Sequence, residues 1–539
     1  MISLDTIDAT APGERWPPTA ADERRLADYE RNLKLFLGRH QEVFDPYRRP
    51  DEGPYVTANI LGAISRLAAH RLFGEAPKAR AKGGSGSEVS GLGLRVPRPT
   101  EGLEPGTRDP RPQTAAAQRL LDFLCRSNGW QPLCHSGALG GSYRGDTVLR
   151  VRYDAGHDAV VIDDVPPSCF FPHLDPGAPE GFRAVSLAWV VEGSDEREVM
   201  SDEFGRRAGL RTPHSSFSTA RPAFLREEYH EPGRIENRLW KLVAVPGQTR
   251  YYRRPVELSA LEATAGLPEV VETGLDVVPI VHIPNRRVAE TGLWGQSDYA
   301  DLIPLQEALN RRRTQISSIL DKHSDPLLAI DESFLDEQGR VPMDRIRAIP
   351  LVQDEPPPQY VTWDGKLADS RAEAEELLHT ILLVAGISPE SLGFGQGGFP
   401  ESGLAIRLRQ MLTTSTVVSK RLHWEPGLRR LLSLAMKMHV RHVSGLGSRV
   451  SGSTSSRQPE TRDMRSETAV LEPDEIGIEF GDGLPPDLSA SISDEVALQG
   501  AGLASKEASL HRLFPDWTEA EIDAEVERLA ADVAPASGR

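Results

Sequence analysis

Between Gly292 and Val440 the chain carries three long stretches of helical apolar spacing, divided by one short proline-rich insert and one glycine-rich loop. That order constrains the fold more than any other feature. The insert is too brief for a domain of its own, so the two helices that bracket it have to run antiparallel. In SDYADLIPLQEALNRRRTQISSILDKHSDP, residues Leu302, Leu305, Leu309, Ile316 and Leu320 mark one stripe of a helix of about 25 residues, roughly 37 Å long. Ser297 is its expected N-cap, Asp298 lies in its first turn, Pro304 is expected to kink that end, and Asp325-Pro326 stops it. The insert LLAIDESFLDEQGRVPMDRIRAIPLVQDEPPPQYVTW has short apolar runs stiffened by Pro356 to Pro358, which suits a small β clip. The second helix is expected to start at Ser370, with Glu373 completing a capping box, and to end at Gly386. After the loop GISPESLGFGQGGFPESG, a third helix is expected from Ser402 to about Val440, kinked or broken at Pro426.

Upstream, Leu26, Tyr29, Leu33 and Leu37 recur at three- and four-residue steps in a first helix, and NILGAISRLAAHRLFG reads as a second, closed by Gly74. From Glu75 to Pro112 the text is rich in Gly, Ser, Pro and Arg and is expected to be a mobile excursion. A helix at AAAQRLLDFLCRSNG leads into strand-like runs, TVLRVRYD, AVVIDD, VSLAWVVEG, LREEYHEPGRIENRLWKLVAV and VVPIVHIPNRR. This is an antiparallel α+β region, with the main boundary expected near residue 290. A Gly/Ser-rich tract, VSGLGSRVSGSTSSRQPETRD, sets off a C-terminal unit from Ala469, holding the strand EIGIEF and then helices, the last capped by Thr518 and Glu521.

The 539 residues suffice for about three or four structural units. Against 62 Lys plus Arg stand 79 Asp plus Glu, a net charge of -17, so any contact with nucleic acid has to be local or loose. The three cysteines, Cys125, Cys134 and Cys169, lack zinc-site spacing and the density of a secreted scaffold, which points to synthesis in a reducing cytoplasm. MISLDTIDATAPGERW is unlike a signal peptide, and no segment approaches the roughly 20 apolar residues of a membrane span, so a soluble chain is expected.

Chemical motifs are sparse. Gly393, Gly395 and Gly398 spell GxGxxG, but a dinucleotide cradle has to follow a strand, and this one follows a helix. The same glycines suit a bending loop with Phe394, Gln396 and Phe399 at its tip, either as a contact for sliding DNA or as a plain surface turn. Arg311, Arg312 and Arg313 offer phosphates a basic band if copies assemble in a ring; the alternatives are a solvated face or pairing with a neighbouring copy's acids. His439 and His442 have metal-ligand spacing but no third ligand, and read as surface histidines. Asp163 and Asp164 point to opposite faces of a strand and read as an exposed strand-end turn, not a two-metal site. GxSxG, HExxH and GxxxxGK[ST] are absent. No catalytic residue, metal or cofactor is assigned.

The segments PIVHIPNRR, GLWGQSDYADLIPLQEALNRRRTQISSILDKHSDPLLAI, VAGISPESLGFG and ESGLAIRLRQMLTTSTVVSKRLHWEPGLRRLLSLAM resemble, in words and in order, successive parts of the portal proteins of siphophage-type tailed bacteriophages. NILGAISRLAAHRLFGEAP, EIGIEFGDGLPPD and AGLASKEASL extend the resemblance. It implies an α+β, mainly α, portal fold: wing at 1–296, stem helix at 297–323, clip at 324–369, second stem helix at 370–386 and tunnel loop at 387–402. A long wing helix at 403–442, a flexible linker at 443–468 and a crown at 469–539 follow. It further implies a twelve-subunit ring at the capsid portal vertex of a virion, passing double-stranded DNA without sequence preference during packaging and ejection. The implied partners are the terminase large subunit, the major capsid and scaffolding proteins and a head-completion or adaptor protein, with no membrane involved. The main rival reading is a nucleic-acid-processing enzyme whose helical half is an oligomerisation arm, and a third is a non-phage scaffold built on long helices.

Overall fold

The computed structural model describes residues 14–49, 52–82, 111–175, 178–192, 210–211, 223–244, 251–324, 327–329, 359–361, 367–394, 405, 408–443, 470–481, 488–514, 517 and 519–533. Several sequence expectations lie outside them: Asp325-Pro326, Pro356 to Pro358, Gly395, Gln396, Gly398, Phe399, Ser402, Thr518 and most of the Gly/Ser/Pro tracts.

Along the chain come β1 (Glu14–Trp16), α1 (Ala20–Phe36), α2 (His40–Phe44), α3 (Ile60–Phe73), β2 (Lys78–Ala81), α4 (Arg111–Ser127) and α5 (Trp130–Arg144). Strands β3 (Asp146–Asp154), β4 (Ala159–Val165), β5 (Phe170–Asp175), β6 (Ala178–Glu192), β7 (Leu210–Arg211), β8 (Ala223–Glu231), β9 (Arg234–Ala244), β10 (Tyr251–Val256), β11 (Val270–Glu272) and β12 (Ile280–Pro284) follow. Then come α6 (Ile303–Ser324), β13 (Leu327–Ala329), β14 (Gln359–Val361), α7 (Leu367–Val384), α8 (Met411–Val443), β15 (Ile476–Glu479), α9 (Leu488–Gly500), α10 (Lys506–Leu513) and α11 (Glu519–Val533). About half of what is described is helical, so the fold is mixed α+β.

The residues fall into two compact units, Met1–Ile387 with Ser415–Gly481, and Ser388–Thr414 with Asp482–Arg539. In the first, an antiparallel sheet of order β1-β10-β9-β8-β6-β5 carries β11 on β9 and β7 on β6. It lays Leu225, Leu242, Val190 and Phe171 against Trp16, Leu26 and Tyr29. A three-stranded sheet, β12-β3-β4, packs with α3, α4, α5 and α8 in the largest core, where Phe73, Leu120, Leu149, Trp424, Leu428 and Leu432 are buried. The expected strands all form, and all pair antiparallel, because their apolar-polar alternation fits one buried face.

Several local expectations are corrected. The buried face of α1 is Arg25, Leu26, Tyr29, Asn32 and Leu35, while Leu37 is exposed; Asn32 turns inward because its amide donates to the Tyr143 carbonyl at 2.9 Å. Lys78–Ala81, expected inside the mobile excursion, is β2, and it pairs with β15. Strand EIGIEF therefore belongs to the first unit: Leu471, Ile476 and Ile478 enter the largest core, and the Leu471 carbonyl accepts from Ser433 Oγ at 2.8 Å. The boundary expected near Ala469 falls after Gly481, and no unit boundary falls near residue 290. Pro426 does not break α8, which runs through it for 33 residues, about 50 Å. The proline ring is exposed, and core-packed Trp424 and Leu428 on either side hold the helical path despite the lost hydrogen bond.

The second unit holds α9, α10 and α11. Ser505 Oγ caps α10 by accepting from Ala508 N at 3.1 Å, Arg512 grips Glu495 with two bonds of 2.6 and 2.8 Å, and Phe514 stacks on Trp517.

Candidate functional site

Helices α6 and α7 pack side by side, and between them β13 and β14 pair antiparallel, Leu327 with Val361 and Ala329 with Gln359. The chain thus leaves along α6, turns through the insert and returns along α7. The helix ends differ from expectation. Helix α6 starts at Ile303: Ser297 Oγ accepts from Tyr299 N at 3.0 Å and donates to the Tyr143 carbonyl at 2.8 Å, pinning a preceding turn to α5. Ser370 lies inside α7, which begins at Leu367. Its last helical residue is Val384, two short of the expected end, and Gly386 closes it from just beyond at φ +68°, a conformation glycine adopts without strain.

The apolar stripe foreseen on α6 is only partly its buried face. Leu302 and Leu309 are buried, Leu320 is exposed, and the other buried positions are Gln306, Asn310 and Thr314. These three form a ladder along the extended segment before α3. Thr314 Oγ1 accepts from Val56 N at 3.0 Å, Asn310 Oδ1 from Ala58 N at 3.0 Å, and Gln306 Nε2 donates to the Ala58 carbonyl at 2.6 Å. Asn310 Nδ2 reaches His40 Nδ1 at 2.7 Å, while His40 Nε2 reaches the Leu35 carbonyl at 2.9 Å. Burial lowers the His40 pKa and favours the neutral ring that can accept from Asn310. The sequence signal for this ladder was polar residues at i, i+4 and i+8 inside an apolar helix.

Below the helix pair sits a polar hub. Lys420 Nζ on α8 donates to both Asp298 oxygens at 2.8 and 2.7 Å and to Asn285 Oδ1 at 2.6 Å. Ser142 Oγ and Asn285 Nδ2 complete the Asp298 shell at 2.6 and 2.9 Å. Burial alone would raise the Asp298 carboxyl, but the Lys420 charge and these bonds outweigh it and leave the pKa below the usual carboxylate range. Beside the hub, buried Asp146 accepts from Tyr29 OH, from Gly295 N at 2.8 Å, and bonds His282 Nε2 at 2.7 Å. Helices α1, α5 and α8 and strands β3 and β12 are thereby fastened to the footing of α6.

The arginine triplet is split by the helix. Arg311 pairs with Glu307 at 2.6 Å, Arg312 crosses to Glu373 on α7 at 2.6 Å, and Arg313 is exposed. They do not form one band within a subunit, since successive residues lie about 100° apart. Of the loop residues, Phe394 is about half exposed and Gly393 sits at φ +83° after a single 3-10 turn, Pro389–Leu392; Gln396 and Phe399 lie outside the described residues.

Two expectations elsewhere are overturned. His439 is buried with its ring edge on Phe123, and His442 stacks on Tyr153 with Nε2 2.9 Å from the Thr273 carbonyl, so both are packing residues. Asp163 is not in an exposed turn: it is buried in β4, accepting from Arg150 and Arg152 at 2.8 Å each, while Asp164 faces the other way to Ser136 at 2.9 Å. Arg150 also pairs with Glu228. Burial would push the Glu228 carboxyl up, but the His230 hydrogen bond and the Arg150 charge hold it at about 2. Among the described residues no group of three or more His, Cys, Asp or Glu has metal-binding geometry, and no helix is long and apolar enough to cross a membrane.

The long helical hairpin of α6 and α7, braced on the α+β body, is the most conspicuous feature of the described residues. The model of the family described as phage portal protein, SPP1 Gp6-like, matches residues 259–537, more than half of the 539, and the chain belongs to that family. The match takes in α6, α7, α8, β15 and the C-terminal helices. No curated protein matches the chain. Among solved structures it is similar to the neck of an empty GTA particle computed with C6 symmetry, at 12% identity over 95% of this chain and 98% of that one, TM-score 0.41. It is also similar to the neck of a native GTA particle computed with C12 symmetry, at 12% identity over 73% and 83%, TM-score 0.35.

Proposed function

We propose that this chain is a portal-vertex subunit that closes with further copies into a ring, twelve by family resemblance, through which double-stranded DNA passes during packaging and ejection. The observation that carries the reading is the antiparallel α6–α7 hairpin with β13 paired to β14 between its arms, inside the region matched by the portal family. In this reading α6 and α7 are the stem, the insert from 324 to 369 is the clip, the loop from 387 to 402 faces the tunnel and α8 is the long wing helix. The α+β body up to residue 296, joined by β15, is the wing, and α9 to α11 form the crown. The work is mechanical, and no side chain has a catalytic role.

The ladder and the hub suit that work. A stem that has to keep its place while DNA moves needs its helices fixed by many directional bonds rather than by a slippery apolar stripe. The acidic balance keeps DNA from binding tightly, and Phe394, Gln396 and Phe399 give the loop uncharged groups toward it. The terminase large subunit during filling and a head-completion protein afterwards dock on the clip side; capsid and scaffolding proteins surround the wing. The chain is made in the host cytoplasm and ends in the virion.

Mass measurement and negative-stain imaging of the purified protein test this. A ring with a central hole is expected; a stable monomer with metal-dependent nuclease activity overturns it. Deleting Gly393 to Gly398 is expected to impair packaging with rings intact, and normal packaging removes the tunnel-loop assignment.

A further inference from the structure

Two grooves line α6, and they differ in whether their arginines are satisfied. One, of about 440 Å³, holds Arg48 and Arg311 with three acids, Asp45, Glu52 and Glu307. Arg48 pairs with Asp45 at 3.0 Å and Arg311 with Glu307 at 2.6 Å, so its arginines are matched within the chain. The other, of about 410 Å³, lies along the second half of α6 and the first half of α7, toward the insert. It carries Arg313 from α6 and Arg371 from α7, both exposed, and among the described residues neither forms an ion pair. The sequence explains why. Arg311 has Glu307 four residues before it, but the positions three and four residues either side of Arg313 are Leu309, Asn310, Ile316 and Ser317, none of them acidic. Arg371 has one acid within reach along its helix, Glu375, which also lines the groove. An arginine ahead of the glutamate is the weaker of the two orders, and that pair is not made. Two cations therefore face one anion here, in a chain whose net charge is -17.

Apart from the Ser317 hydroxyl, the rest of the lining is apolar: Val56, Ile316, Leu320 and Ala374, with Leu320 39% exposed. The walls are fixed before anything binds, because Thr314 Oγ1 accepts from Val56 N at 3.0 Å and Arg312 ties α6 to Glu373 on α7 at 2.6 Å. A preformed groove loses little conformational freedom on binding. We infer that this groove docks a segment of another protein in which carboxylates flank a large apolar side chain. The carboxylates take the two guanidinium groups, whose planar forks match them with paired hydrogen bonds, and the apolar side chain covers Ile316 and Leu320. Duplex DNA satisfies the arginines through its phosphates but leaves the apolar floor uncovered, and a purely apolar ligand strips water from two guanidinium groups without pairing them. The inference rests on the stem and clip reading only for the side from which the partner arrives, the insert end of the hairpin.

The test uses the full chain and a short fluorescein-labelled peptide, GDELFEDG, read by fluorescence anisotropy. Saturable binding is expected, weakened about tenfold by Arg313→Gln and by Arg371→Gln, and a few-fold by Leu320→Asn. Arg311→Gln, in the neighbouring groove, should leave it unchanged. A peptide with its acids replaced by glutamine, or with its two apolar residues replaced by serine, should bind at least tenfold more weakly. Arg313, Arg371 and Leu320 are exposed, so the variants should keep the wild-type circular dichroism and melting temperature. No saturable binding by wild type overturns the inference, as does binding that the Arg313 and Arg371 variants leave intact or that Arg311→Gln weakens equally. Tighter binding of a short duplex DNA through the same two arginines assigns the groove to phosphates, and loss of rings in those variants assigns it to a contact between copies; either result removes the peptide. If wild type forms no ring yet binds the peptide through Arg313 and Arg371, the portal reading falls and the groove assignment stands.

Discussion

Replacing Lys420 by Met isolates what the polar hub contributes. The ammonium is buried, 7% exposed as a side chain, and bonds both Asp298 oxygens and Asn285. Methionine fills nearly the same volume, so packing changes little, but Asp298 loses its counter-charge and Asn285 Oδ1 its donor. Stranding one member of a buried ion pair costs roughly 3–5 kcal/mol. Asp298 keeps Ser142 Oγ and Asn285 Nδ2, which places the loss near the lower end, about 3 kcal/mol, on the order of a hundredfold in the folding equilibrium. Urea denaturation followed by tryptophan fluorescence reads it directly, through Trp424 in the largest core. Lys420→Met with Asp298→Asn removes both charges and should return to within about 1 kcal/mol of wild type. A single variant that loses less than about 1 kcal/mol, or a double variant no better than the single, refutes the view that the pair fastens α8 to the foot of α6.

Asn310→Ala should cost about 2 kcal/mol by the same assay, because Ala58 N and Gln306 Nε2 lose their acceptor in a largely buried ladder; an effect below about 0.5 kcal/mol counts against the ladder. Gly145→Ala should cost more than about 2 kcal/mol, since φ is +103° and an added Cβ would meet the Gly295 carbonyl oxygen at 2.5 Å; wild-type stability removes that argument. A carboxyl whose pKa is lower folded than unfolded contributes its full stability above the unfolded value and loses it as pH falls through the folded one. Asp298 and Glu228 are both depressed, Glu228 to about 2, so stability should fall progressively below the usual carboxylate range near pH 4 and down toward pH 2. The decline should be blunted in Glu228→Gln; equal acid sensitivity in that variant contradicts the assignment.

Local periodicity determined much of this protein. The long helices, the alternating strands and the closing glycine Gly386 follow from apolar spacing and backbone preference acting over a few residues, and the wording and order of successive segments carried the family resemblance. What sequence spacing could not decide was which polar residues turn inward. Asn32, Gln306 and Asn310 are buried, and Asp298 is largely covered, only because their partners, the Tyr143 carbonyl, Ala58, His40 and Lys420, arrive from distant parts of the chain. Strand β15 likewise reads as the start of a separate unit until Lys78–Ala81 meets it, almost 400 residues earlier. Pro426 reads as a break until the core on both sides holds α8 to its path. Hydrogen-bond satisfaction and core packing are properties of the assembled fold, and only the tertiary structure fixes them.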